Sequence, residues 1–175
     1  MISRFALAAA LAVAPLAAPV QALAQTVVIV RHAEKVDASK DPDLSEAGRA
    51  RAAALAEALK GARLTLVLAT PLKRTVQTGF PAAQAAGLVP TPVPLDGGVA
   101  AHAARVAEAA RAAGPGATVL VVGHSNTVPD IARALGDPSP EALTDCDYDR
   151  MTVIQLGGPA PKAVHARYGA RTESC

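Results

Sequence analysis

The chain has 175 residues, 51% of them hydrophobic, yet 2% are aromatic and none is tryptophan. Its core must therefore be filled by Ala, Val and Leu, with helices lying close to whatever they cover. The formal net charge is +2, and no run of Lys and Arg or interleaving of aromatics occurs, which excludes nucleic acid as a partner.

Residues 1–24 read as a segment separate from the fold. Met1–Arg4 is a short charged start, Phe5–Val20 is nearly all Ala, Leu and Val, and Ala22-Leu23-Ala24 fits a small-x-small cleavage site. The apolar run is shorter than the roughly 20 residues a membrane span requires, and it holds Pro15 and Pro19. The expectation is a signal peptide over 1–24 and a mature domain over 25–175. The product would be periplasmic or secreted, with no membrane attachment after cleavage.

Thr26–Val30 is β-branched throughout and bounded by polar residues, a short buried strand that delivers Arg31 and His32 at its carboxyl end. Asp41-Pro42-Asp43 marks a loop. Ser45 then reads as the N-cap of a helix whose apolar stripe is Ala52, Leu55, Ala56 and Leu59 and which ends at Gly61. Leu64–Ala69 is a second strand. Pro71 suits the first turn of a second helix, predicted to bury Leu72, Val76 and Phe80 and to be kinked or interrupted at Pro81.

Gly87 closes that helix, and Thr91–Leu95, with Pro92 and Pro94, fits only an edge strand or extended loop ending at Asp96. A third helix is predicted over Val99–Ala113, with Ala103, Val106, Ala107 and Ala110 inward. Ala117–Val122 is the most continuous apolar strand and should be central. A fourth helix follows His124, with Val128, Ile131, Ala132 and Leu135 inward and Gly136 at its end. Met151–Leu156 and Ala163–Tyr168 read as a closing hairpin. The order of elements predicts one α/β domain, a three-layer α/β/α sandwich with a mostly parallel sheet. If the hairpin forms, Cys146 and Cys175 fall on the same side of it, and in an oxidising compartment they can pair as a disulfide. No CxxC or HxxxH spacing suggests a metal site.

Strand ends of this kind are where open α/β sheets bind ligands. Three apolar strands carry His32 with Arg31, Arg74 in the following turn, and His124 after Gly123 to one such edge. Imidazole is a nucleophile near neutral pH when one ring nitrogen is held and the other is free. Arg offers two parallel donors to phosphate, and a helix start after His124 favours an anion. The combination suggests a basic pocket for a phosphoryl group. His102 and His165 lack such a setting and read as structural or surface residues.

Arg31-His32-Ala33-Glu34-Lys35, then DLSEAGRARA from Asp43, ATPLKRTVQT from Ala69 and VLVVGHSNTVPDIARALG from Val119, resemble the histidine phosphatase superfamily, the group of the phosphoglycerate mutases and many small phosphatases. The resemblance implies a phosphoglycerate mutase-like fold and a phosphatase acting on small phosphorylated substrates through a transient phosphohistidine on His32. Arg31, Arg74 and His124 would form the phosphate pocket, with no metal or organic cofactor. Two positions depart from the pattern. Ala33 stands where the family has Gly, which should crowd the space beside the nucleophile. His124 is followed by Ser125-Asn126 rather than an acid, leaving Asp96, in the loop after the second helix, as candidate general acid. Glu34 reads as a partner for a nearby base.

Two other functions compete. A non-catalytic binder of phosphorylated ligands could use the same pocket. A serine esterase could use Ser125, because Gly123-His124-Ser125-Asn126-Thr127 approaches G-x-S-x-G, although Thr127 replaces the final Gly.

Overall fold

The computed structural model describes residues 23–172. The expected leader up to residue 22, and Cys175 with its pairing to Cys146, lie outside the described residues. Six strands form one sheet: β1 (Gln25–Arg31), β2 (Leu66–Ala69), β3 (Thr91–Pro92), β4 (Thr118–Gly123), β5 (Arg150–Leu156) and β6 (Lys162–Arg167). Their order is β3-β2-β4-β1-β5-β6. The first four in that order run parallel, and β5 and β6 are antiparallel additions on the β1 side. β4 is central, as its unbroken apolar run requires.

Helices α1 (Glu46–Ala58) and α2 (Lys73–Ala85) cover one face, and α3 (Gly98–Ala112) and α4 (Val128–Leu135) cover the other. Side chains alternate between the two cores along each strand. Val27 and Ile29 of β1 join Val119 and Val121 under α3 and α4, whereas Val28 and Val30 join Leu120 and Val122 under α1 and α2. The predicted inward stripes of α3 and α4 are all buried. Sheet and helix layers make the α/β/α sandwich expected from the order of elements.

Two expectations about α2 are overturned. Its buried residues are Thr75, Thr78, Gly79, Ala82 and Ala83, while Phe80 is exposed and Leu72 and Val76 are half-buried. Small residues win the inward face because the helix lies too close to the sheet for large ones. A Cβ on Gly79 would stand 3.2 Å from Val67 Cγ1 and 3.3 Å from Val122 Cγ2. Nor does Pro81 end the helix, which runs on to Ala85. The helix loses one hydrogen bond there, and packing of both flanking turns against the sheet holds it together.

Ser45 caps α1 as expected, its side chain accepting from the Gly48 amide at 3.1 Å. Gly48 is required for a different reason: a Cβ there would sit 2.2 Å from the Glu34 carbonyl oxygen. Helix α1 is thereby pressed against the segment that follows β1.

Candidate active site

Strand register assembles the site. β1 and β4 pair in parallel with Arg31 opposite Gly123, so the next residues, His32 and His124, emerge side by side at the carboxyl edge. Their ring centroids are 5.3 Å apart with planes at 62°. The His32 amide donates to the Gly123 carbonyl at 2.9 Å, continuing the ladder one step beyond the strands. On the other side of β4, β2 ends at Ala69 opposite Val122, which brings Thr70 up to His124. The close turn at Gly123 admits no side chain, since a Cβ would meet Thr127 Oγ1 at 2.9 Å.

His32 is buried, 4% exposed, and its Nδ1 lies 2.8 Å from the Ala33 carbonyl oxygen. A carbonyl only accepts, so Nδ1 carries the proton and Nε2 keeps its lone pair. Burial lowers the His32 pKa to about 4; Arg31, Arg74 and Lys35 add to the lowering, and the bond to Ala33 opposes it. His124 goes down to about 3, chiefly by burial, with His32, Arg74, His102 and Arg31 contributing. Both rings are therefore neutral at physiological pH.

Arg31 is 3% exposed and held from the loop before β5. Its Nη1 donates to the Thr144 carbonyl at 2.7 Å, Nη2 lies 3.5 Å from Asp145 Oδ1, and the guanidinium stacks 4.1 Å from the Tyr148 ring centroid. The same Tyr148 ring is 6.0 Å from His32. Arg74 enters from the first turn of α2 and, with His124, Leu72, Leu95, Gly98, Val99, Asn126 and Thr127, lines a cavity of about 300 Å³. The Nε atoms of Arg31 and Arg74 are both buried and have no hydrogen-bond partner among the described residues. Buried donors normally find acceptors. Two orphaned guanidinium donors beside two imidazoles are what an anion would satisfy.

The structure thus brings together Arg31, His32, Arg74 and His124. Asp96 is placed at the rim: it is exposed, and its neighbours Leu95 and Gly98 line the cavity. Ser125 lies within 3.4 Å of Asp145 Oδ1 and has no histidine partner among the described residues, so the hydroxyl lacks the base a serine esterase needs. His102 is buried under α3 with Nδ1 bonded to the Pro94 carbonyl at 2.8 Å, and His165 bonds Thr152 across the hairpin. Both are structural. Glu34 takes a bidentate bond from buried Arg51, at 2.7 and 2.8 Å, which ties α1 to the end of β1.

The methyl of Ala33 does not crowd the nucleophile. Ala33 is fully buried and packs with Leu44 and Ala52 on the α1 side, while its amide donates to Thr78 Oγ1. Its φ is not positive, so nothing in the backbone calls for glycine.

Sequence reasoning missed Thr70, Thr75, Thr144, Asp145 and Tyr148. The loop before β5 shows neither periodicity nor a strand to place it, and only the position of Tyr148, one of two tyrosines, just ahead of β5 could have flagged it. Among the described residues no group of three or more His, Cys, Asp or Glu could hold a metal ion, and no helix is long and apolar enough to cross a membrane.

Fold and site together define a class, an α/β protein that gathers two imidazoles and two guanidiniums at the carboxyl edge of its sheet. The family model of the histidine phosphatase superfamily (branch 1) matches residues 27–98. That match agrees with the resemblance carried by the motifs and spans Arg31-His32 and Arg74. The described chain has the fold of such proteins.

Among solved structures, a Nakamurella multipartitia protein provisionally named phosphohistidine phosphatase SixA superposes with a TM-score of 0.66 at 22% identity, covering 86% of this chain and 99% of that one. A protein histidine phosphatase SixA complexed with tungstate gives 0.64 at 21% identity, over 81% and 96%. An Entamoeba histolytica phosphoserine phosphatase in complex with 3-phosphoglyceric acid gives 0.60 at 14%, over 84% and 98%. No curated protein matches the sequence.

Proposed function

We propose that the protein is a phosphatase that hydrolyses phosphomonoesters or phosphorylated side chains through a transient phosphohistidine on His32. The observation that carries this reading is the state of His32: Nδ1–H is fixed on Ala33 O, Nε2 is bare, and two guanidinium Nε donors lie buried and unpaired beside it. The Nε2 lone pair attacks phosphorus, the ester P–O bond breaks, and the leaving oxygen takes a proton from an acid. Water then attacks phosphorus and gives a proton to the carboxylate that acid has become, the P–N bond breaks to return the Nε2 lone pair, and phosphate is released. Arg31, Arg74 and His124 stabilise the charge on the phosphoryl oxygens.

Asp96 is our candidate for the acid, because it is the acidic residue of the segment between Leu95 and Gly98, both of which line the cavity. The similar proteins described above act on phosphohistidine and phosphoserine, by their names, which supports a small or side-chain phosphoryl substrate. We further propose, from residues 1–24, that the protein is exported, and that turnover needs no metal.

The test is incubation of the mature protein with a panel of phosphorylated substrates, followed by an alkaline denaturing quench and analysis for base-stable, acid-labile phosphate. Wild type should carry label on His32 and turn substrate over, and His32→Ala should lose at least about 10³-fold in kcat. Binding without label or turnover would instead establish the non-catalytic binder. Unchanged turnover of a poor-leaving-group ester by Asp96→Asn would remove Asp96 from the mechanism.

A further inference from the structure

A chain of hydroxyls behind His124 fixes which of its nitrogens bears the proton. Thr75 Oγ1 lies 3.0 Å from the Thr70 carbonyl and 2.8 Å from the Leu72 carbonyl. Carbonyls cannot donate, so the single hydroxyl proton of Thr75 is committed to them. The 2.7 Å contact between Thr75 Oγ1 and Thr70 Oγ1 then needs the proton of Thr70. With that proton used, Thr70 Oγ1 can only accept across its 3.0 Å contact with His124 Nε2. Hence Nε2 carries the hydrogen, and Nδ1, which makes no hydrogen bond among the described residues, is left with a lone pair. Thr70 and Thr75 are both fully buried, so water does not break the chain.

His124 lines the same cavity as Arg74. A bare nitrogen lone pair facing an anion is repulsive, and it becomes a hydrogen-bond donor only by gaining a proton. The charged and titratable groups around it are His32 and Arg31 at the end of β1, Arg74 on α2 and His102 on α3. None is an acid that could supply that proton, and Asp145, bonded to Ser125 and Arg31, is an acceptor. The proton must come from solvent.

We propose that Thr70 and Thr75 are positioning residues that hold His124 as the Nε2–H tautomer, so that binding of a phosphoryl anion takes up one proton from water onto His124 Nδ1. The substrate is thereby met by an imidazolium rather than by a neutral ring. This rests on the phosphate-pocket reading above, and the experiment separates the two.

Tungstate is the probe, because unlike phosphate it does not itself take up a proton near neutral pH. Calorimetric titration at pH 7 in buffers of different ionisation enthalpy reads the protons taken up. One proton per site is expected for wild type and for His32→Ala, which removes the other bare imidazole nitrogen. Affinity should strengthen about tenfold for each pH unit lowered, as one-proton linkage requires. In Thr70→Val and Thr75→Val the ring is free to present Nδ1–H, and uptake should fall below about half a proton. In the free wild-type protein the Nδ1 of His124 should show the ¹⁵N shift of an unprotonated imidazole nitrogen, a readout that requires no variant. No tungstate binding would overturn both the pocket and this inference. Tungstate binding without proton uptake, or a protonated Nδ1 in the free protein, would overturn this inference alone.

Discussion

Lowering the pH from 7 to 4.5 should remove much of the protein's stability through two residues. His32 and His124 have folded pKa values of about 4 and about 3, against an ordinary value near 6.5. Above pH 6.5 both rings are neutral in the folded and unfolded states, and stability is full. As pH falls below 6.5 the unfolded chain binds protons that the folded protein refuses, so stability declines until the folded pKa is reached. At pH 4.5 each histidine has cost about 2–3 kcal/mol, and the two together about 5 kcal/mol. That approaches the whole stability of a marginal domain. Because both side chains are almost fully buried, solvent screening discounts this little. The assay is urea unfolding at pH 7, 6, 5 and 4.5 on wild type and on the His32→Asn, His124→Asn double variant. The double variant should be the flatter by about 5 kcal/mol over that range. Equal slopes would refute neutral burial as the state of the pair.

Four further outcomes follow. Gly48→Ala must move α1 away from the Glu34 carbonyl and should cost about 2–3 kcal/mol in denaturant midpoint, with a loss of activity because the displaced segment carries His32. Glu34→Gln leaves the buried Arg51 guanidinium, still bonded to the Tyr168 and Ala170 carbonyls, without its counter-charge and should cost about 3 kcal/mol by thermal melt. Tyr148→Ala removes the ring stacked on Arg31 and should lower kcat/KM about tenfold with little change in melting temperature. Turnover should survive dialysis against EDTA, and dependence on an added divalent ion would contradict the proposed metal-free mechanism.

The sequence carried the parts of this fold that rest on periodicity and punctuation. β1, β4, α3 and α4 stand where their apolar patterns and terminal glycines put them, because long buried strands and amphipathic helices advertise themselves in one dimension. α2 departs from its pattern: Leu72, Val76 and Phe80 make the apolar stripe, but distance to the sheet selects Thr75, Gly79 and Ala83 for the inward face. His32 and His124 could be nominated because both follow strands. Their adjacency, however, depends on β1 pairing with β4, a fact of topology. The clamp on Arg31 from Thr144, Asp145 and Tyr148 comes from an irregular loop whose path no local pattern encodes. It also corrects the role given to that arginine. Its two terminal nitrogens face its own chain, so it offers charge and one free Nε rather than a bidentate grip.

To take up a proton at pH 7, His124 must have its pKa raised from about 3 to at least 7. The arithmetic permits it. At an effective dielectric near 20, one unit charge about 4 Å away interacts by about 4 kcal/mol, so a dianion contributes about 8 kcal/mol, or about six pKa units. The unfavourable fields of Arg31 and Arg74 are already contained in the starting value, and an anion seated between them cancels their effect as well. A singly charged anion would supply only about three units and leave the ring mostly neutral at pH 7. Affinity for a dianion such as tungstate should therefore steepen with falling pH around neutrality, whereas affinity for a monoanion of similar size, such as perrhenate, should stay flat until near pH 6. Parallel pH profiles for the two anions would mean that charge does not drive the protonation, and the electrostatic account of His124 would fail.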